Sequence, residues 1–305
     1  MKGRLRPAVL LAVGLTACLC VPVQAQLITN NYGFENTGWS GYPLSYGSPD
    51  WTMNGAAYYE DWDHSGGMWP SNRVRLVQTY QYGTNGAAWL NTTTIDATAD
   101  WTINTRGQIS FAFPSNQPPA DFTALVLQTA GIGALQTTAV PPVGWNCTQT
   151  NLGTYLSLAI QPWYMDGLHD NYINVYTNGP GAAVTDAALV GQMDLGTTLN
   201  CGYNPGAFYW FDASYAAATH QLSISFQTDG GTLYTNTLSA DLSSVFGTNK
   251  VTIGYAGSDG AVTSDMDLLD SHITAAIPEP GTLAILAIFG LGLSIGRRIK
   301  RQRGA

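Results

Sequence analysis

Between residues 26 and 277 no apolar i, i+3, i+4 pattern runs longer than two helical turns, and short β-rich runs recur instead between clusters of turn residues. A chain patterned this way cannot cover a core with helices and must do so with sheets. Residues 73–78, 108–113 and 221–226 alternate polar and apolar positions, the period that sends successive side chains to opposite faces of a strand. Residues 123–128, 155–161, 172–176, 208–211, 232–238 and 250–255 complete the predicted strands. Turns are predicted at Asn85-Gly86, Asn178-Gly179-Pro180, Asn204-Pro205-Gly206, Asp229-Gly230-Gly231 and Asp259-Gly260. So many strands at regular spacing predict an all-β fold of two antiparallel sheets or a barrel. The region of about 250 residues is long enough for one large core, and no internal repeat or linker divides it.

Both ends of the chain read as targeting segments rather than as parts of that fold. Lys2, Arg4 and Arg6 precede an apolar stretch over 8–21, and Val23-Gln24-Ala25 forms a small-residue cleavage site. Residues 1–25 are therefore expected to be a signal peptide, with a mature chain beginning near Gln26 and exported across the inner membrane. Leu15-Thr16-Ala17-Cys18 also fits a lipoprotein cleavage box, but it would leave apolar Leu19-Cys20-Val21 near the new N-terminus. At the other end, Pro278-Glu279-Pro280 precedes an uncharged apolar run over 282–296, and five Lys/Arg follow between Arg297 and Arg303. The run is short of the roughly 20 residues of an ordinary spanning helix, and the basic cluster holds the extreme C-terminus in the cytoplasm. The two prolines keep the preceding segment extended, as a processing site requires. This three-part segment, 278–303, resembles the PEP-CTERM sorting signal. That resemblance implies an exosortase-type sorting enzyme as partner, a hydrophobic C-terminal helix in the membrane before processing, and delivery to the cell surface or extracellular matrix afterwards. The alternative is a permanent short tail anchor behind a Pro-rich linker.

The charge of the region between is lopsided. Residues 26–277 hold four Lys/Arg (Arg73, Arg75, Arg106 and Lys250) against 19 Asp/Glu, a formal charge of −15. Binding of nucleic acid or of an anionic membrane surface by this region is excluded on that ground. Cys147 and Cys201 are its two cysteines and the candidate disulfide pair of an exported protein.

The order of segments over 26–277 resembles the legume-type (L-type) lectin-like domain. Ala120-Asp121-Phe122-Thr123-Ala124-Leu125-Val126-Leu127-Gln128 matches a family pattern A-D-G-x-A-F-V-L-Q, and Val143-Gly144-Trp145 resembles the L-G-Y turn that follows. Trp51 to Ala57 resembles the opening before the first core strands, and segments around Leu76, Trp89, Leu158, Ile224, Tyr255 and Leu268 follow in family order. The resemblance implies a concanavalin A-like jelly-roll sandwich and a non-catalytic, carbohydrate-binding function with a polysaccharide or glycan partner. It implies a sugar contact at Asp121, where Phe122 replaces the family's glycine, and a recognition surface around Gly144, Trp145, Trp163 and Tyr164. An aromatic ring can stack on the apolar face of a pyranose, although in a chain with nine Trp and 16 Tyr such rings also serve as core.

The family's Ca²⁺/Mn²⁺ site does not carry over. It needs a Glu-x-Asp-x-Tyr-x-Asn run, then Asp, then His, because hard cations take converging oxygen ligands. Here Gln161 stands for Glu, Trp163 for Asp and Tyr172 for His, so Asp170, with Asp166 a weaker alternative, is the surviving carboxylate. No cofactor is expected and Ca²⁺ is not favoured. Hydrolysis of polysaccharide is the third reading, after sugar binding and a purely structural matrix role. Against it, Glu35 and Glu60 are the only glutamates of the region and neither lies in the E-x-D-x-x-E strand of laminarinase-type enzymes; Glu60 and Asp63 fall in a turn-like stretch. His64, His169, His220 and His272 accompany no G-x-S-x-G elbow.

Overall fold

The computed structural model describes residues 27–33, 50–60, 73–77, 84–92, 94–111, 122–134, 152–162, 171–178, 189–196, 207–248, 250–258 and 264–276. They belong to one compact unit, Leu27–Pro278, and both targeting segments lie outside the described residues. Among the described residues no helix is long and apolar enough to cross a membrane.

The strands assemble into two sheets in which all pairs are antiparallel. Sheet I contains β1 (Leu27–Gly33), β3 (Tyr58–Glu60), β4 (Arg73–Val77), β7 (Trp101–Phe111), β12 (Ala207–Ala216), β13 (Gln221–Thr228), β14 (Tyr234–Ser239) and β16 (Ser264–Ala276). Its order is β14-β13-β12-β7-β16-β4-β3, with β1 also paired to β16. Sheet II contains β2 (Trp51–Gly55), β5 (Asn85–Leu90), β6 (Ile95–Asp96), β8 (Phe122–Gln128), β9 (Tyr155–Gln161), β10 (Tyr172–Asn178), β11 (Leu189–Asp194) and β15 (Lys250–Ser258). Its order is β11-β10-β9-β8-β15-β5-β2, with β6 also paired to β15. The 13-residue β16 is long enough to pair β7 along one side while β4 and β1 share the other, and Leu27 ends opposite Ala276.

Three sequence expectations are corrected. Trp51–Gly55 is a core strand rather than a lead-in, and Tyr58–Glu60 pairs with β4 instead of turning. Asn85-Gly86 opens β5 rather than a hairpin. The reason is packing: a Cβ on Gly86 would lie 1.9 Å from the Leu76 carbonyl oxygen, so glycine is there to let two backbones meet. Strands β1, β6, β11 and β16 were not among the predicted strands; β6 has two residues and carries no period, and Leu189–Asp194 of β11 shows one buried residue among partly and fully exposed ones. The Asp229-Gly230-Gly231 turn stands where expected, between β13 and β14, with Gly230 at φ 67°.

The main core lies between the sheets. Inward residues of β7, β12 and β13 (Trp101, Ile103, Tyr209, Phe211, Ile224, Phe226) meet Leu125, Leu127, Leu156, Leu158, Ile160, Ile173 and Val175 of β8, β9 and β10. Two tyrosines tie the layers together. Tyr255 Oη, from β15, is hydrogen-bonded to Thr105 Oγ1 (2.7 Å) and Ser271 Oγ (2.6 Å) of sheet I. Burial raises its pKa to about 12 against the lowering effect of both hydroxyls. Tyr209 of β12 reaches Thr123 of β8 and is raised still further, again by burial first. Below them a short helix α1 (Leu242–Phe246) turns Leu242 and Phe246 into the core. The Asp241 carboxylate accepts hydrogen bonds from Ser243 Oγ and Ser244 N, which hold its pKa below the ordinary carboxylate range, and Gly247 ends the helix at φ 59°.

The outer face of sheet I is half buried and half open. Towards β4, Arg75 makes a two-bond fork with Asp267 (Nε–Oδ1 2.8 Å, NH2–Oδ2 3.1 Å), Arg73 NH1 lies 3.1 Å from Asp267 Oδ2, and all three are buried. The alternation predicted for 73–78 therefore sends the arginines to the outer face without exposing them. A bulge at Leu269 then shifts the facing of β16, so that Asp270 stands opposite Arg106. Partial burial raises the pKa of the Asp270 carboxyl above the ordinary aspartate value, against the Ser271 N–H and the charges of His272 and Arg106. A raised folded-state value means that stability is fully present below pH 3.8 and is lost as pH rises through the folded pKa. Asp270→Asn should accordingly raise the melting temperature at pH 7, with the gain vanishing as the pH is lowered towards 4; a constant gain across that range would reject the assignment.

Candidate functional site

Sheet II carries a second, smaller core on the face turned away from sheet I. Trp89, Phe122, Ala124, Val126, Tyr155, Ala159, Tyr176 and Ala256 are buried there, joined by Ala134 and Leu152 from the segments after β8 and before β9. The turn following β8 is held down on this face at several points. Gln128 bonds Gly131 through both ends of its amide (2.8 and 2.9 Å). The Ala134 carbonyl accepts from Trp89 Nε1 (2.7 Å) and Asn54 Nδ2 (2.8 Å). Thr129 N donates to the carbonyls of Leu152 and Thr154, closing the base of the segment that contains Gly144 and Trp145.

At one end of the sheet five strand termini come into register. Ser258 pairs with Phe122, Thr123 with Ile160, Gln161 with Tyr172, and Tyr172 with Asp194. Asp121 directly precedes β8, Trp163 and Tyr164 follow β9 within three residues, and Asp170 precedes β10 by two. Asp121, Gly144, Trp145, Trp163, Tyr164 and Asp170 themselves lie outside the described residues, as do Asp166, Cys147 and Cys201. The base of the 163–170 loop is described: Asn171 N donates to the Pro162 carbonyl (3.3 Å), the Asn171 carbonyl accepts from Leu195 N (2.8 Å), and Asn171 is left-handed at φ 58°.

Inside that base lies a polar ladder that the sequence reading missed. Gln161 Oε1 accepts from Asn174 Nδ2 and from Tyr176 Oη (2.9 Å), and Asn174 Oδ1 accepts from Gln192 Nε2 (2.8 Å). Gln161, Asn174 and Tyr176 are buried. The signal was present in the alternation of Tyr172, Asn174 and Tyr176 against Ile173 and Val175, which puts the polar set on the side of Gln161. Chemically the ladder is neutral throughout, and the oxygen that would have to face a cation is already engaged by two donors. The described part of the position thus fits a hydrogen-bonded lock and does not fit a divalent ion. Among the described residues no group of three or more His, Cys, Asp or Glu stands close enough to hold a metal.

Two eight-stranded antiparallel sheets, a core between them, and a second core under the loops of one sheet define a particular jelly roll. Its solved counterparts include peanut lectin with a nonamer peptide (TM-score 0.57, 13% identity, 84% of this chain and 100% of that one). Basic winged bean lectin with Tn-antigen superposes with a TM-score of 0.58 at 14% identity, over 83% of this chain and 100% of that one. Lectin I from Ulex europaeus, in complex with the methyl glycoside of α-L-fucose, gives 0.57 at 13% identity over 81% and 98%. The fold is that of the legume lectins. Neither a family model nor a curated protein sequence matches the chain.

Proposed function

We propose that the chain is an exported, surface- or matrix-associated glycan-binding protein, non-catalytic and independent of metal. The observation that carries the reading is the meeting of strand termini at one end of sheet II, next to Asp121, Trp163, Tyr164 and Asp170 in sequence. The winged bean and Ulex lectins, whose solved complexes hold Tn-antigen and a fucoside, have the same fold and support a sugar as ligand. The Gln161 ladder supports metal independence, because it braces the 163–170 loop with neutral hydrogen bonds. The signal-like N-terminus and the Pro278-Glu279-Pro280 segment support export and C-terminal processing by an exosortase-type enzyme. A matrix role without sugar recognition is favoured by one feature, the outer face of sheet II, where Trp89, Phe122 and Tyr155 are buried in a second core rather than offered to a ligand.

The test is glycan-array binding of the full chain in mild detergent, with and without EDTA. Binding that survives EDTA is the expected result; loss with EDTA would reject metal independence, and no signal on any glycan would leave the matrix role. Asp121→Ala should weaken binding with little change in melting temperature, and unchanged affinity would remove Asp121 from the site.

A further inference from the structure

The open half of the outer face of sheet I is built unlike an ordinary solvated sheet. Cross-strand register arranges its outward side chains in rows. One row runs His272, Asn104, Asp212, Ser225, Thr235 across β16, β7, β12, β13 and β14, and the next runs Asp270, Arg106, Trp210, Gln227. Trp210 is 39% exposed at the centre of these rows, a large exposure for an indole on a regular strand. It is not loose: the Arg106 guanidinium carbon lies 5.6 Å from its ring centroid and 5.3 Å from that of Phe208, two residues along the same face. Beside it the Asp212 carboxylate is oriented by Asn104 Nδ2 (2.8 Å) and Ser225 Oγ (3.1 Å).

We propose that this face is a second glycan surface, distinct from the strand ends of sheet II, and that it takes an extended, β-linked polysaccharide chain. The occupant follows from the composition. A stable contact with another protein, a second copy included, needs a dry apolar centre of several large side chains within roughly 800 Å² per partner. This face offers one exposed indole with Arg106 and the half-buried Phe208 beside it, and otherwise Asn, Asp, Ser, Thr, Gln and His. A flat pyranose chain needs the reverse: one held aromatic plane for its C–H face, and many short donors and acceptors for its hydroxyls. A row of outward polar side chains that crosses five strands suits an extended chain rather than a single terminal sugar. The reading shares its ligand class with the proposed function but uses other residues, so each can fail alone.

The probes are insoluble cellulose, by pull-down, and soluble mixed-linkage β-glucan, by affinity electrophoresis, using the full chain in mild detergent. Trp210→Ala should weaken retention roughly tenfold or more, the scale of one aromatic contact. Trp210→Tyr should retain most of the binding. No retention of the wild-type chain would overturn the proposal, as would equal retention by Trp210→Ala. Sedimentation of both proteins gives the remaining outcome: a wild-type dimer that Trp210→Ala dissociates would make this face an interface between copies and reject the glycan.

Discussion

Replacing Asp267 by asparagine should lower stability by about 3–5 kcal/mol, the cost of leaving buried charge without its counterpart. The carboxylate is 1% exposed and serves two buried guanidinium groups, Arg73 and Arg75, on neighbouring β4. An asparagine is close in size but neutral, and it presents one acceptor oxygen where the fork needs two. In a domain of this length the loss corresponds to a fall in melting temperature of roughly 10 °C. Asp265, which lies 3.3 Å from Arg75 and is more exposed, should cost much less when changed in the same way. Exchanging Arg75 and Asp267 together for methionine and leucine should be milder than Asp267→Asn, since one buried guanidinium, Arg73, then loses this carboxylate instead of two. Melting curves of the three variants are the check; a loss below about 1 kcal/mol for Asp267→Asn would mean the arginines find other acceptors.

Trp89→Ala should cost about 3–5 kcal/mol and loosen the turn after β8 at the same time. The indole is fully buried in the second core, and its N–H donates to the Ala134 carbonyl. Gly254 makes room for it, for a Cβ there would lie 2.3 Å from Trp89 Cε3 and 2.2 Å from the Ala88 carbonyl. Removing the ring leaves a cavity between β5, β15 and the turn, in a layer with no sheet behind it to close the gap. Trp89→Phe separates the two roles: it keeps most of the apolar volume and loses the hydrogen bond, costing about 1 kcal/mol beyond the packing change, while Asn54 Nδ2 still serves Ala134. Denaturant midpoints give the energies, and hydrogen exchange at the Gly131 and Ala134 amides reports the turn. Unchanged exchange in Trp89→Ala would show that Gln128 and Asn54 alone hold it.

These two sites also mark how far a sequence can be read. Neither the strand bearing Asp267 nor that bearing Trp89 was among those predicted from period: β16 has aspartates at 265, 267 and 270 in its run, and β5 begins at Asn85-Gly86, which reads as a turn. Tyr155–Gln161 was bounded to the residue, since apolar and small polar side chains alternate cleanly there. The partners were not visible. Arg75 and Asp267 are 192 positions apart, and Trp89 reaches a carbonyl 45 positions on, so nothing local announces either contact. The Gln161 ladder lay between these cases: the substitution of Gln for a metal-binding Glu could be read, but that Asn174 and Tyr176 would occupy its oxygen depended on the β9–β10 register.

Periodicity, turn residues and net charge, all short-range properties of the chain, determined by themselves that residues 26–277 build an acidic all-β domain. Only the tertiary structure decided which face of each sheet is buried. A strand's alternation names two faces but not what packs against them; in sheet II both faces carry a core, and on the outer face of sheet I Arg73 and Arg75 are buried while Trp210 is not. Burial is settled by contacts between residues far apart in the chain, and those form only when the two sheets close on each other.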